Sequence, residues 1–174
     1  IRHPETRELL GPDQKGEIVA RGVGVFSGYH NDVEKTGESF DTEGWFFSGD
    51  LGSIDKHGRV AFLGRLKDML KVGGENVASV EIEGYLATHP KIKLSAVVGL
   101  QDEKYGEVPV AFVELKPGEE ATEAEIIKFC KGEIASFKVP KHIRFIQEWP
   151  MGATKILKYE LKERIEKEIA TSTS

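Results

Sequence analysis

The chain has 174 residues, with 24 Lys and Arg against 29 Asp and Glu, for a formal net charge of −5. That length predicts one medium domain or two small ones, able to fold without a disulfide or a structural metal. The charge balance argues against a nucleic-acid binder, no apolar run approaches a membrane span, and the single cysteine, Cys130, leaves no internal disulfide or multi-cysteine zinc site.

The chain opens at Ile1 with no initiator Met or leader, so it reads as a piece of something longer. Gly16 to Gly22 predicts a strand bounded by glycines. A short helix over Asn31–Phe40 is expected, with Asn31 as its cap. Gly44 to Asp50 is rich in aromatics, and Leu51–Ile54 and Arg59–Leu63 flank Asp55-Lys56-His57-Gly58 as a hairpin. With strands dominating and one short helix among them, residues 1–66 predict a partial antiparallel, barrel-like β unit.

Beyond Leu66 helices alternate with strands. Ser79 is expected to cap a helix reaching about Thr88, with Ile82, Tyr85 and Leu86 on one face. Ser95–Leu100 and Val108–Leu115 are near-continuous apolar runs, the pattern of strands covered on both faces. Thr122-Glu123-Ala124-Glu125 has capping-box spacing, and Ile126, Cys130 and Ile134 follow at four-residue steps. His142–Ile146 predicts another strand. Leu157, Leu161, Ile165 and Ile169 form the stripe of a terminal helix, and Thr171–Ser174 are expected to fray. The fold class is therefore α+β: residues 67–174 should form a small domain with a β-hairpin and a three-stranded sheet packed by helices.

Three segments have unusual chemistry for scaffold. Asp50, at the end of Gly44-Trp45-Phe46-Phe47-Ser48-Gly49-Asp50, can grip a vicinal diol or can satisfy local backbone N–H groups in a turn. Arg65 through Val77 contains the Gly73-Gly74 pair, which permits a close backbone approach to a ligand or simply makes a turn. Pro150 through Lys158 is a small-residue loop delivering Lys155, which can neutralise developing anionic oxygens or stand as an ordinary surface lysine.

The order and spacing of these segments carry more than each alone. Gly16-Glu17-Ile18 through Gly28-Tyr29, Ser48-Gly49-Asp50-Leu51, Gly64-Arg65 through Glu83, Phe137-Lys138-Val139-Pro140 and Thr154-Lys155 follow one another across the chain. Together they resemble the C-terminal part of the AMP-forming adenylating enzymes: acyl-CoA synthetases, peptide-synthetase adenylation domains and beetle luciferases. The resemblance implies a two-step reaction, in which a carboxylic acid and ATP give acyl-AMP and pyrophosphate, and a thiol, usually that of CoA, then displaces AMP.

By position, the resemblance makes Asp50 and Arg65 the ribose-binding pair and Lys67 the hinge. It makes Lys155 the adenylation lysine, Gly73-Gly74-Glu75 the pantetheine loop, and Phe137 and Lys141 a platform and a charge for the nucleotide end of CoA. It divides the chain into residues 1–66, the end of an N-terminal domain, and residues 67–174, a mobile C-terminal domain. The loop before Lys155 is one residue shorter than usual, with Thr154 in place of glycine, and Lys158 is the alternative. Gly74-Glu75-Asn76-Val77 favours the acyl-CoA synthetases, with a medium- or long-chain fatty acid as the expected acid.

ATP, AMP and CoA are thus the expected substrates. Mg²⁺ is expected for a full-length enzyme, although no ligands for it are seen in this chain. The phosphate loop, adenine-binding motif and acyl pocket are missing from this sequence, so the chain alone should be inactive. The parent is expected in the cytoplasm, with scope for peripheral membrane association, and the cut β unit is expected to self-associate. The alternatives are a non-catalytic interaction or regulatory module on the same scaffold, a peptide-synthetase adenylation domain, and a luciferase-like oxidase.

Overall fold

Punctuation by turn residues shapes the first unit, Ile1–Lys67, in the computed structural model, which describes residues 1–172. Strand β1 (Gly16–Ala20), helix α1 (Val33–Ser39), and strands β2 (Phe46–Ile54) and β3 (Val60–Arg65) follow in order. The strands form an antiparallel sheet ordered β1-β2-β3, and no barrel closes among the described residues. The β2–β3 turn forms as expected: Asp55 Oδ1 accepts from the His57 and Arg59 N–H groups at 2.9 Å each, and Gly58 takes φ +80°. Helix α1 differs in its cap. Asp32, not Asn31, accepts from Lys35 N–H at 2.9 Å, because Asn31 is spent in the left-handed region at φ 53°. Phe26 packs edge-on against Tyr29, Phe40 and Phe46 with centroids 5.0–5.4 Å apart, giving this small unit an aromatic cluster.

The second unit, Asp68–Ser174, is built on one mixed sheet. Its elements are β4 (Met69–Val72), β5 (Glu75–Ala78), α2 (Ser79–Leu86), β6 (Ile92–Asp102), β7 (Gly106–Leu115), α3 (Glu123–Cys130), β8 (His142–Phe145) and α4 (Lys158–Ser172). Strand order is β5-β4-β7-β6, with β8 parallel to β7. The expected hairpin and three-stranded sheet are therefore joined, through the single pairing of Val72 with Gly106.

The apolar runs are explained by burial on both faces. Val97, Ala111 and Val113 face Ile82 and Leu86 of α2 and Ile126 and Cys130 of α3. Their alternates Val98, Val110 and Phe112 face Leu161 and Ile165 of α4. Each Val, Leu, Ile or Phe side chain among them contributes about 1.5–3 kcal/mol on burial.

Local departures have identifiable causes. Ser79 begins α2 rather than capping it: the N-cap is Ala78, and Ser79 Oγ instead accepts from Lys158 Nζ at 2.7 Å. Thr122 does cap α3, accepting from Glu125 N–H at 3.2 Å. Helix α3 stops at Cys130 because Lys131 turns extended, although Ile134 N–H still returns to Cys130 O at 3.2 Å. Helix α4 continues through Thr171 and Ser172, so the expected fraying does not begin at Thr171; residues 173 and 174 lie outside the described range.

Candidate functional site

Asp50 sits in a bulge. Glu17 pairs with Leu51 and Val19 with Phe47, so Ile18 alone on β1 faces Ser48, Gly49 and Asp50 on β2. A bulge interrupts the hydrogen-bond ladder and re-aims the side chains it carries. The freed backbone groups find side-chain partners: Gly49 N–H donates to Glu17 Oε1 at 2.8 Å, and Asp50 N–H to Ser48 Oγ at 3.0 Å. Ser48 Oγ in turn donates to Ile18 O at 2.7 Å. Gly49 takes φ +71°, which a residue with a Cβ adopts only at a cost.

On the other edge of β2, Asp50 pairs with Arg65, and Arg65 Nε lies 2.7 Å from Asp50 Oδ1. That contact is off the N–H axis, so the buried Oδ1 accepts no aligned hydrogen bond. With Oδ1 buried beside the half-exposed guanidinium, the carboxylate's other oxygen is the one left to accept from a ligand hydroxyl. These two sequence-predicted residues are thus adjacent. Lys67, the last residue of the first unit, is exposed in a 3₁₀ turn spanning Leu66–Asp68.

In the second unit, Gly73 (φ 60°) and Gly74 (φ 88°) form the two-residue turn between β4 and β5. Both central residues at positive φ match the twist of the flanking strands, which is why the hairpin uses Gly-Gly. Gly73 N–H donates to Tyr105 O at 2.7 Å. Asp102 Oδ1 accepts from the Lys104 and Tyr105 N–H groups at 3.0 Å each, and Lys141 Nζ pairs with Asp102 Oδ2 at 2.5 Å. The Lys141 ammonium and these backbone donors hold the Asp102 carboxyl below its usual range. So Gly73, Gly74 and Lys141 are brought to one end of the sheet through the Asp102–Gly106 turn, which the sequence reading did not single out. Asp102 followed four residues later by glycine was the available signal. Glu75 is exposed at the start of β5, while Phe137 is half-buried with one side against the core under α2 and α3. Lys138 lies 5.7 Å from the Phe137 ring centroid.

The two candidate lysines separate cleanly. Met151 bridges Ile156, Leu157 N–H donates to Pro150 O, and Gly152 N–H donates to Lys155 O, the last two at 2.8 Å, so residues 150–157 form a small hairpin. Trp149 anchors its base, donating to Glu114 Oε2 at 2.7 Å. Lys155 is exposed near the tip, with no partner for its ammonium among the described residues. Lys158 is instead held: its Nζ lies 2.7 Å from Glu83 Oε1 and 2.7 Å from Ser79 Oγ. Glu83 Oε1 also accepts from Val97 N–H at 2.7 Å. Cys130 offers no nucleophile, since it is fully buried and burial pushes its thiol up to about 11.

Comparison with known proteins fits this geometry. Residues 81–155 match the family model of the AMP-binding enzyme C-terminal domain. Residues 81–155 of the second unit are therefore similar to the AMP-binding enzyme C-terminal domain. Over 167 residues, 95% of the chain, this protein is 43% identical to the mitochondrial medium-chain acyl-CoA ligase ACSF2 of Danio rerio. ATP-bound MatB from Rhodopseudomonas palustris superposes with a TM-score of 0.87 at 36% identity, over 94% of this chain and 33% of that one. The o-succinylbenzoate CoA synthetase MenE of Bacillus subtilis, in complex with its acyl-adenylate intermediate, gives a TM-score of 0.85 at 31% identity over 92% of this chain and 33% of that one. The chain is thus homologous to acyl-CoA ligases along nearly its whole length, and spans 28% of the length of the Danio rerio relative. That relative is mitochondrial by name, which lends no support to the expected cytoplasmic location. No helix among the described residues is long and apolar enough to cross a membrane.

Proposed function

We propose that this chain is the C-terminal part of an acyl-CoA synthetase acting on a medium- or long-chain fatty acid. In the first step a carboxylate oxygen attacks the α-phosphorus of ATP and pyrophosphate leaves, giving acyl-AMP. In the second, the CoA sulfur attacks the acyl carbon, a C–S bond forms, the C–O bond to phosphate breaks, and AMP departs.

Within this reading, the Asp50 carboxylate accepts from the ribose hydroxyls, and Arg65 supports the same sugar. Lys155 neutralises charge building on the carboxylate and phosphate oxygens, where one preorganised donor is worth about 10²–10³ in rate. Gly73, Gly74 and Glu75 line the path of the pantetheine arm, and Phe137 and Lys141 meet the nucleotide end of CoA. Lys141 must exchange Asp102 for phosphate to do so, since the two are paired. Residues 67–174 act as the mobile domain and Lys67 as its hinge, following the end of an N-terminal domain over residues 1–66. Mg²⁺ accompanies ATP in such a reaction. Among the described residues no group of three or more His, Cys, Asp and Glu is placed to hold a metal, and no step proposed for this chain runs through one.

The observation that carries the reading is the contrast between the ammonium of Lys155, unpaired among the described residues, and the locked one of Lys158. It is tested in the full-length protein by Lys155→Ala. Fatty-acid-dependent ATP–pyrophosphate exchange should collapse, while thioester formation from supplied acyl-AMP persists. Equal damage to both half-reactions removes Lys155 from its role. The chain by itself exposes Val60 and Phe62 on β3 and should self-associate through them, as a solution mass above that of one chain would show.

A further inference from the structure

We infer that Glu17 is a positioning residue for the ribose-binding carboxyl of Asp50, and so sets how well the enzyme distinguishes ribose from deoxyribose nucleotides. The inference rests on the assignment of Asp50 proposed above.

Its basis is the bulge. A carboxyl side chain rarely lies inside a small sheet without a task, yet Glu17 is 7% exposed on β1. Its own backbone is already committed, since Glu17 and Arg2 exchange N–H···O bonds of 2.7 and 2.9 Å. The side chain therefore adds nothing to the ladder through the main chain. It reaches across instead to Gly49, at φ +71°, one of the β2 residues whose N–H the bulge has turned out of register.

Gly49 is the residue immediately before Asp50. Fixing its N–H fixes the peptide plane from which Asp50 departs. The Ser48 hydroxyl holds the plane on the other side, bonded both to Ile18 O and to Asp50 N–H. Asp50 Oδ1 lies 2.7 Å from the half-exposed Arg65 without an aligned donor, so the orientation of the carboxyl leans on the backbone from which it departs. Placement of a ligand-facing oxygen to within a fraction of an ångström depends on such supporting bonds. The functional consequence of losing Glu17 should therefore appear at the ribose hydroxyls and not at the acyl end.

The test compares ATP with 2′-deoxy-ATP in acyl-AMP formation by the full-length protein, for the parent and for Glu17→Met, Glu17→Asp, Glu17→Gln and Asp50→Ala. The ratio of kcat/KM for the two nucleotides is independent of the fraction of enzyme that is folded. Glu17→Met removes the acceptor, Glu17→Asp shortens its reach, and Glu17→Gln keeps an oxygen at the same distance. KM for ATP should rise about tenfold in the Met variant, the size of one lost hydrogen bond. The ATP preference should fall toward that of Asp50→Ala, while the Gln variant stays within about twofold of the parent. Should the Met variant not fold, the Asp variant carries the same comparison. If Asp50→Ala lowers the preference but the Met and Asp variants leave it intact, Glu17 is only a structural part of the sheet and the inference is overturned. If Asp50→Ala itself leaves the preference unchanged, the ribose assignment fails, and the role given to Glu17 fails with it.

Discussion

Replacing Lys158 with Met asks which of two nearby lysines holds the structure and which is left for chemistry. The change keeps most of the aliphatic stem and deletes the ammonium, which lies 2.7 Å from both Glu83 Oε1 and Ser79 Oγ. Breaking a fully buried ion pair costs about 3–5 kcal/mol, and an exposed pair about 0–1. Here the two side chains are 22% and 19% exposed, so the cost should fall between, at about 2 kcal/mol. In a domain of this size that lowers Tm by about 10 °C. Glu83→Gln removes the charge but keeps an oxygen for Val97 N–H, and the double variant should recover about 1 kcal/mol relative to the sum of the singles. Lys155→Ala should shift stability by less than about 0.5 kcal/mol, since its side chain is exposed and unpaired. Urea denaturation with an unchanged slope, alongside thermal scans, measures all four variants. A silent Lys158→Met would refute the reasoning, because it would return Lys158 to the list of free cations and reopen the choice of catalytic lysine.

Three further outcomes are expected. Thr122→Ala should cost about 1 kcal/mol by removing the acceptor for Glu125 N–H, read as a lower denaturation midpoint, and Thr122→Ser should restore most of it. The second unit should lose stability as pH falls below about 6.5: burial holds the His89 pKa below its ordinary value, so the unfolded chain takes up the proton more readily than the folded one, and the contribution is complete only above the unfolded value. His89 Nδ1 accepts from Lys91 N–H at 3.2 Å, a bond protonation would break, so His89→Asn should flatten the stability profile between pH 7 and 5.5. Gly74→Trp should suppress thioester formation far more than acyl-AMP formation in the full-length protein, because the bulk would project into the proposed pantetheine path; Gly74→Ala, which carries the same backbone strain at φ +88° without the bulk, should affect the two steps alike.

The second unit's sheet was legible because its signal is local. Apolar runs at 95–100 and 108–115 can be satisfied only by cover on both faces, and α2 and α3 on one side and α4 on the other provide it. Thr122 was legible for the same reason, since a cap and its recipient are three residues apart. Ser79 was not. Its oxygen is claimed by a lysine 79 residues away, and no local pattern records that. The joining of the hairpin to the larger sheet was equally hidden, resting on one pairing between Val72 and Gly106. In the first unit, motif order singled out Asp50 and Arg65 as candidates. Their adjacency depends on the β2–β3 register, and the support for Asp50 depends on a bulge that inserts two extra residues opposite Ile18, which alternation of apolar residues cannot reveal.

The placement of the second unit's two proposed functional segments also bears on how one domain could serve two reactions. Gly73-Gly74 leads through β5 directly into α2, which is pinned to one face of the sheet by Ile82 and Leu86. Lys155 lies three residues before α4, which is pinned to the opposite face by Leu161 and Ile165. At the edge of the sheet, where β6 has no further strand beside it, Lys158 joins the start of α4 to Ser79 and Glu83 of α2, and Glu83 holds Val97 of β6. The lysine hairpin and the glycine hairpin are therefore parts of one braced body and have little freedom to move independently. If adenylation needs the first and thioester formation the second, exchange between them must come from motion of the whole unit, with the backbone change concentrated at a few residues such as those around Lys67. The Lys158 bridge would then matter to catalysis by keeping the two segments in fixed relation, which is why its loss should appear first as stability and Lys155's as rate.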